Sequence, residues 1–304
     1  MTEPLPILML TDGKPGHENQ SLGLIEAIDK LTPVELRREK VERNAIAGLL
    51  RAQLPEVAPA LIVGAGHSTH APMLKLARQS GAPCVVLMKP SLPLSLFDLC
   101  LIPEHDIREK ECPPNVEATI GAINRVPPPD GSPRRGGLIL LGGPSSTHGW
   151  DADSIRESVT TIVSSCGDRP WRITDSRRTP DGQLSELAKA CPALVCHPHA
   201  DTGPEWLPQR LTEAAEVWVS EDSVSMIYES LSSGAKVGLF ACPQKKTNRI
   251  TRGVDRLSSE GWVTRFADWD PATGLTEPPR ILRESDRCAG LVLGRFFPER
   301  LPKT

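Results

Sequence analysis

The chain has 304 residues, more than one hydrophobic core usually sustains, so two domains of about 150 residues each are expected. Its 39% hydrophobic and 24% charged residues suit a globular protein and argue against disorder or a membrane bundle; the most apolar stretch, 92–102, is cut by Pro93 and Asp98 and is too short to span a bilayer. A net charge of −3 gives no reason to expect a nucleic-acid partner, and the eight cysteines show no Cys-x-x-Cys pair or zinc-type spacing and read as reduced core residues.

Met1-Thr2-Glu3-Pro4 lacks the basic and apolar regions of a secretory signal, so a cytoplasmic protein is expected. Apolar runs at 5–10, 34–38, 60–63, 84–88 and 99–102 predict strands of a parallel sheet buried on both faces, with helices over 17–30, 43–53 and 69–79 between them. These segments make up a first domain, 1–125. Pro127-Pro128-Pro129-Asp130-Gly131-Ser132-Pro133 can sustain neither a helix nor a central strand and marks a linker, 126–135. The pattern then restarts in a second domain, 136–279, with strands at 137–141, 171–174, 193–196, 217–219 and 236–241 and helices over 151–166, 184–190, 207–215, 223–232 and 249–259. An amphipathic stretch, 280–295, opens a C-terminal segment, 280–304, that is a candidate to cross back to the first domain. The fold class is α/β: two Rossmann-like domains with a cleft between them.

Ligands of open α/β sheets bind beyond the carboxyl ends of the strands, so the residues after each apolar run carry the search for function. Val217-Trp218-Val219 leads through Ser220-Glu221-Asp222 into a helix that starts at Ser223, with Asp222 or Ser223 as its cap and Gly234 closing it. The start of that helix, at Ser223, Ser225 and Met226, offers N–H groups and a positive dipole end to a diphosphate, and Glu229 is placed to accept hydrogen bonds from a ribose diol. The loop Gly142-Gly143-Pro144-Ser145-Ser146 allows close backbone approach to phosphate at Gly143, Ser145 and Ser146, although a tight strand-to-helix turn explains it equally well and it matches neither the P-loop nor Gly-x-Gly-x-x-Gly. Among the basic residues after later strands, Arg177 is the choice to neutralise a diphosphate, with Asn248 as a further donor-site residue. In the first domain, Asp12, His17 and Glu18 are alternative bases for an acceptor hydroxyl, and Lys14, His67, Ser68 and Lys89 line the same edge. His67, His70, His197 and His199 lack the spacing of a metal site and are read as hydrogen-bonding or packing residues; His70 also stands where Gly-x-Ser-x-Gly would need glycine.

Taken together, the segments 12–20, 64–70, 88–91, 141–150, 174–180 and 220–229 resemble the bacterial relatives of the plant mitochondrial fission protein called "elongated mitochondria", a family regarded as glycosyltransferases of GT-B-like fold. More distantly, Gly142-Gly143-Pro144-Ser145 and the Glu229…Gly234 spacing are similar to the transferase that adds N-acetylglucosamine to the peptidoglycan lipid precursor, from which Pro144 and Ser145 depart. The expected activity is that of an inverting hexosyltransferase: direct displacement by the acceptor would give inversion, and helix-end amides with Arg177 would stabilise the departing diphosphate without a metal or other cofactor. Its donor would be a nucleotide-diphosphate sugar and its acceptor a sugar or lipid-linked envelope molecule, with peripheral contact at the inner membrane. An epimerase or hydrolase on the same fold, and a catalytically inactive scaffold, are the alternatives.

Overall fold

The computed structural model describes residues 3–42, 49–107, 113–167 and 169–302. The chain divides into two units, Met1–Arg125 with Arg283–Thr304 and Val126–Leu282. Much of the helix predicted over 43–53 lies outside the described residues.

The first unit runs β1 (Leu5–Thr11), α1 (Pro15–Asp29), β2 (Val34–Lys40), β3 (Leu61–Ala65), a 3₁₀ turn (His67–Thr69), α2 (His70–Ser80), β4 (Cys84–Leu87), β5 (Leu99–Pro103) and β6 (Val116–Thr119). All strand pairs are parallel, in the order β2-β1-β3-β4-β5-β6. β3, β4 and β5 are buried along their whole length, the reason their sequences are continuous apolar runs. Along β1 the side chains alternate between two cores: Leu5, Ile7 and Met9 pack with Leu24, Ile25 and Ile28 of α1, whereas Leu8 and Leu10 pack with Met73 and Leu76 of α2. β2 lies at the sheet edge and carries Glu35, Arg37, Arg38 and Lys40 in exposed positions, charges that discourage pairing with another chain. β6, with the sequence Val-Glu-Ala-Thr, has no apolar run to announce it.

The second unit continues with β7 (Gly137–Leu140), α3 (Ala152–Ser165), β8 (Trp171–Thr174), α4 (Gln183–Ala190), β9 (Leu194–His197), α5 (Trp206–Glu213), β10 (Glu216–Ser220), α6 (Val224–Ser233), β11 (Lys236–Phe240), α7 (Arg249–Ser259) and β12 (Thr264–Arg265). It is again wholly parallel, in the order β12-β11-β10-β7-β8-β9. Ile139, Trp171, Ile173, Trp218 and Phe240 meet Ile155, Val159 and Ile162 of α3 in its core. The end of the proline-rich stretch is tied to this unit, because Arg134 donates to the carbonyls of Ala214 and Ser233 and the Arg135 N–H donates to Glu213 O at 3.0 Å.

A last helix, α8 (Glu284–Phe296), belongs to the first unit. Cys288, Ala289, Val292 and Leu293 recur at helical spacing and are all buried in the core that α1 also fills. Polar contacts fix its start: Glu284 accepts the Ile120 N–H at 3.1 Å, and the Ser285 hydroxyl donates to Asn124 O at 2.6 Å. Leu293 is fully buried, so Leu293→Ala is expected to remove about 2–5 kcal/mol of stability by leaving a cavity. Urea unfolding followed by circular dichroism checks this, and an unchanged midpoint would mean that α8 does not belong to this core.

Candidate functional sites

In each sheet the chain order reverses once. Between β1 and β3 in the first unit, and between β7 and β10 in the second, neighbouring strands send their following loops apart, and ligands of doubly wound sheets bind at such points.

In the first unit this edge gathers the loops after β1, β3 and β4. Asp12 follows β1 directly, and only 4% of its side chain is exposed. Burial by itself would raise its carboxyl pKa, but the Lys14 N–H at 3.1 Å and the His17 ring outweigh burial and hold it below the ordinary aspartate value. His17, in the first turn of α1, places Nδ1 3.1 and 3.0 Å from the two Asp12 oxygens. Since an ionised carboxylate only accepts, Nδ1–H is the donor and Nε2 is left as the acceptor of the neutral ring. Glu18 points elsewhere, accepting the Thr11 hydroxyl at 2.8 Å. The backbone beneath the pair is Gly66, whose φ of +99° suits glycine; a Cβ there would stand 2.3 Å from His17 Nδ1.

Beside this pair, Ser91 Oγ lies 2.7 Å from His67 Nδ1 and 3.1 Å from His70 Nδ1. One hydroxyl proton serves only one ring, so the tautomers of the two histidines are tied together. His70 is buried, and burial, followed by the charges of His67 and His17, pushes its pKa down to about 4. Ser68 is also buried, whereas Lys14, His67 and Lys89 are exposed, with Lys89 Nζ 3.3 Å from Asp106 O.

In the second unit the loop after β7 is laced to the loops after β8 and β10. Gly142 N–H donates to Ser220 Oγ at 2.7 Å, and Gly143 N–H donates to Asp222 Oδ2 at 3.0 Å. The Ser176 hydroxyl donates to Gly142 O at 2.8 Å, and the Thr179 hydroxyl donates to the same carbonyl. These contacts explain the glycines: a Cβ on Gly142 would lie 2.3 Å from Asp222 Oδ2, and one on Gly143 would lie 2.1 Å from Arg178 O. Gly143 therefore serves loop packing, and its N–H is already committed to Asp222. Ser145 Oγ likewise accepts the N–H groups of Thr147 and His148 at 3.2 and 3.0 Å, while Ser146 is exposed.

The cap of α6 is Ser223, and its side chain makes no capping hydrogen bond. Asp222, the other capping candidate, turns instead to Gly143 and Arg178. The first-turn N–H groups of Val224, Ser225 and Met226 thus lack the partner that a side-chain cap provides. Glu229 is half-buried in the second turn, and Gly234 ends the helix in the left-handed conformation. Arg177 is exposed, and its neighbour Arg178 makes the ion pair with Asp222. Asn248 lies at the start of α7, where Oδ1 accepts the N–H groups of Ile250 and Thr251 in a capping box; this structural task accounts for its sequence position and leaves only its amide nitrogen for a ligand. Sequence reasoning missed Ser220, Asp222 as a tether, and Arg178. A polar residue ending an apolar strand, as Ser220 does, was the available signal. Among the described residues no three His, Cys, Asp or Glu side chains converge as metal ligands, and no helix is long and apolar enough to cross a membrane.

Two doubly wound parallel units of this kind define the GT-B fold shared by glycosyltransferases and related epimerases. The chain belongs to the family described as Mitochondrial fission ELM1, whose model matches residues 15–296. Among solved structures it is similar to Acinetobacter baumannii MurG (TM-score 0.51, 11% identity, covering 98% of this chain and 93% of that one). It is also similar to the UDP-GlcNAc 2-epimerase of Methanocaldococcus jannaschii (TM-score 0.57, 10% identity, 95% and 99%) and to the glycotransferase of kitacinnamycin (TM-score 0.56, 16% identity, 99% and 100%). No curated protein sequence matches the chain.

Two outcomes follow from the first-unit geometry. His70 in the folded protein takes up a proton only near pH 4, whereas in the unfolded chain it does so near 6.5. Between these values the unfolded state binds more protons, so stability is expected to fall as pH drops from about 6.5 to about 4. Urea midpoints across that range should show a shallower fall in His70→Asn than in the wild type; parallel curves would rule out His70 as a source. Gly66→Ala is expected to cost more than about 1 kcal/mol, through its positive φ and its clash with His17. The His17 ring resonances should shift with it, and an unperturbed ring would show that the Gly66 contact is not limiting.

Proposed function

We propose that the protein is an inverting glycosyltransferase that moves a sugar from a nucleotide-diphosphate donor to a sugar or lipid-linked acceptor. The observation that carries this reading is the start of α6 at the second unit's switch point, where first-turn N–H groups lack a side-chain cap and Glu229 follows in the next turn. A diphosphate suits the N–H groups and the positive helix end, and a carboxylate one turn on suits a ribose diol. The similar proteins include a glycotransferase and an epimerase of a UDP-sugar, which supports a sugar nucleotide as the ligand class.

The first unit is assigned the acceptor. His17 Nε2 would take the proton of the attacking hydroxyl while Asp12 stabilises the resulting imidazolium; Asp12 is too buried and Glu18 too engaged with Thr11 for that task. The acceptor oxygen forms its bond to the anomeric carbon as the bond to the diphosphate breaks. The departing charge then falls to the N–H groups of α6. No cofactor beyond the sugar nucleotide is assigned, and contact with a membrane surface would come through a lipid-linked acceptor.

Thermal shift with UDP-, GDP-, CMP- and ADP-sugars is expected to reveal at least one stabilising donor, and Glu229→Ala should abolish that shift. With that donor and an acceptor, His17→Ala should lower kcat by about 10²–10⁴-fold while leaving donor binding intact. Absence of a shift with every donor would overturn the reading in favour of a scaffold. Conversion of the donor without any acceptor would favour an epimerase or hydrolase.

A further inference from the structure

We infer that Arg178, aimed by the buried carboxylate of Asp222, grips the diphosphate of the donor; this rests on the reading that α6 receives a nucleoside diphosphate. The Asp222 side chain has no solvent exposure, and a buried carboxylate persists only if it is paired. Its cationic partner is Arg178, with Nη1 2.7 Å from Oδ2; Gly143 N–H and the Cys242 thiol complete its contacts, at 3.0 and 3.7 Å. The same Nη1 donates to Gly143 O at 2.5 Å, so the anchoring contacts of the fork are gathered at one nitrogen. Of the five guanidinium donors, the two on Nη2 and the one on Nε remain. The Arg178 side chain is 40% exposed and anchored at Nη1, and in the inferred role the edge of the fork away from Nη1 meets the ligand.

The position of that edge follows from the chain. Asp222 immediately precedes Ser223, the cap of α6, so the residue whose carboxylate holds the guanidinium at 2.7 Å stands one position from the start of the helix. An anion on the N–H groups of Val224, Ser225 and Met226 would have that edge as its neighbour. The main chain of Arg178 is fixed as well, because its carbonyl packs against Gly143 and the adjoining Ser176 and Thr179 hydroxyls hold Gly142 O. Such an arginine loses little further freedom on binding. Arg177, the choice from sequence, is exposed and makes no hydrogen bond or ion pair among the described residues, so it would have to be ordered by the ligand.

Calorimetric titration of the full chain with inorganic pyrophosphate, UDP and GDP, alongside the nucleosides uridine and guanosine, tests the assignment. Arg178→Ala is expected to weaken pyrophosphate and the better-bound nucleotide about 10- to 100-fold while leaving nucleoside affinity unchanged, a selectivity that a purely structural defect would not produce. Arg178→Lys keeps a cation beside Asp222 and guards against misfolding; lacking the fork, it should still lose several-fold. Arg177→Ala should lose less than either. Equal affinities in wild type and Arg178 variants, or a larger loss in Arg177→Ala, would overturn the inference while the donor site stands. Failure of the wild type to bind pyrophosphate or either nucleotide would overturn both.

Discussion

A parallel sheet covered on both faces leaves polar side chains almost nowhere to go but the strand ends. Its backbone groups are consumed by the ladder, and its side chains above and below must be apolar. Both units of this protein obey that constraint, and each concentrates its polar groups where the strand order reverses. Thr11 and Asp12 lie at the end of β1 beside Gly66 after β3; Ser220 ends β10 and Asp222 follows it, beside Gly142 and Gly143 after β7. The chemistry of the chain is therefore set by topology before any ligand is considered.

The two switch points use a buried carboxylate in different ways. Asp12 orients an imidazole and leaves that ring with a free acceptor nitrogen, an arrangement for moving a proton. Asp222 orients a guanidinium and a glycine N–H, an arrangement of fixed dipoles and charge. Neither carboxylate is exposed enough to serve as the main ligand contact. Each holds a group more exposed than itself, His17 for Asp12 and Arg178 for Asp222, so the carboxylate stands one step behind the residue nearer solvent.

Legibility in the sequence divides along the same line. The central strands were readable because two-sided burial forces continuous apolar runs, and α6 was readable because a strand, a polar turn and a closing glycine bracket it. The short edge strands β6 and β12 were not, since neither carries an apolar run. At the sites, sequence identified the loops but not the division of labour within them. Gly142 and Gly143 looked suited to phosphate approach, yet their missing Cβ atoms make room for Asp222 and Arg178. Asn248 looked like a ligand residue but caps α7, and Arg177 was preferred to Arg178 because two adjacent arginines cannot be told apart without knowing which one meets a carboxylate from a distant strand.

That last ambiguity shows why the glycine pair, Asp222 and Arg178 have to be treated as one mechanical unit. A side chain on Gly142 would displace the carboxylate. Loss of the carboxylate would free the arginine, and loss of the arginine would bury an unpaired charge beside the start of α6. The helix end attracts anions only if that charge is neutralised, because an unpaired carboxylate next to the first-turn N–H groups would itself occupy the helix dipole and repel a phosphate. In the proposed site Arg178 would therefore have two linked effects: it neutralises a carboxylate that would compete for the helix end, and it offers the rest of its fork to the bound anion.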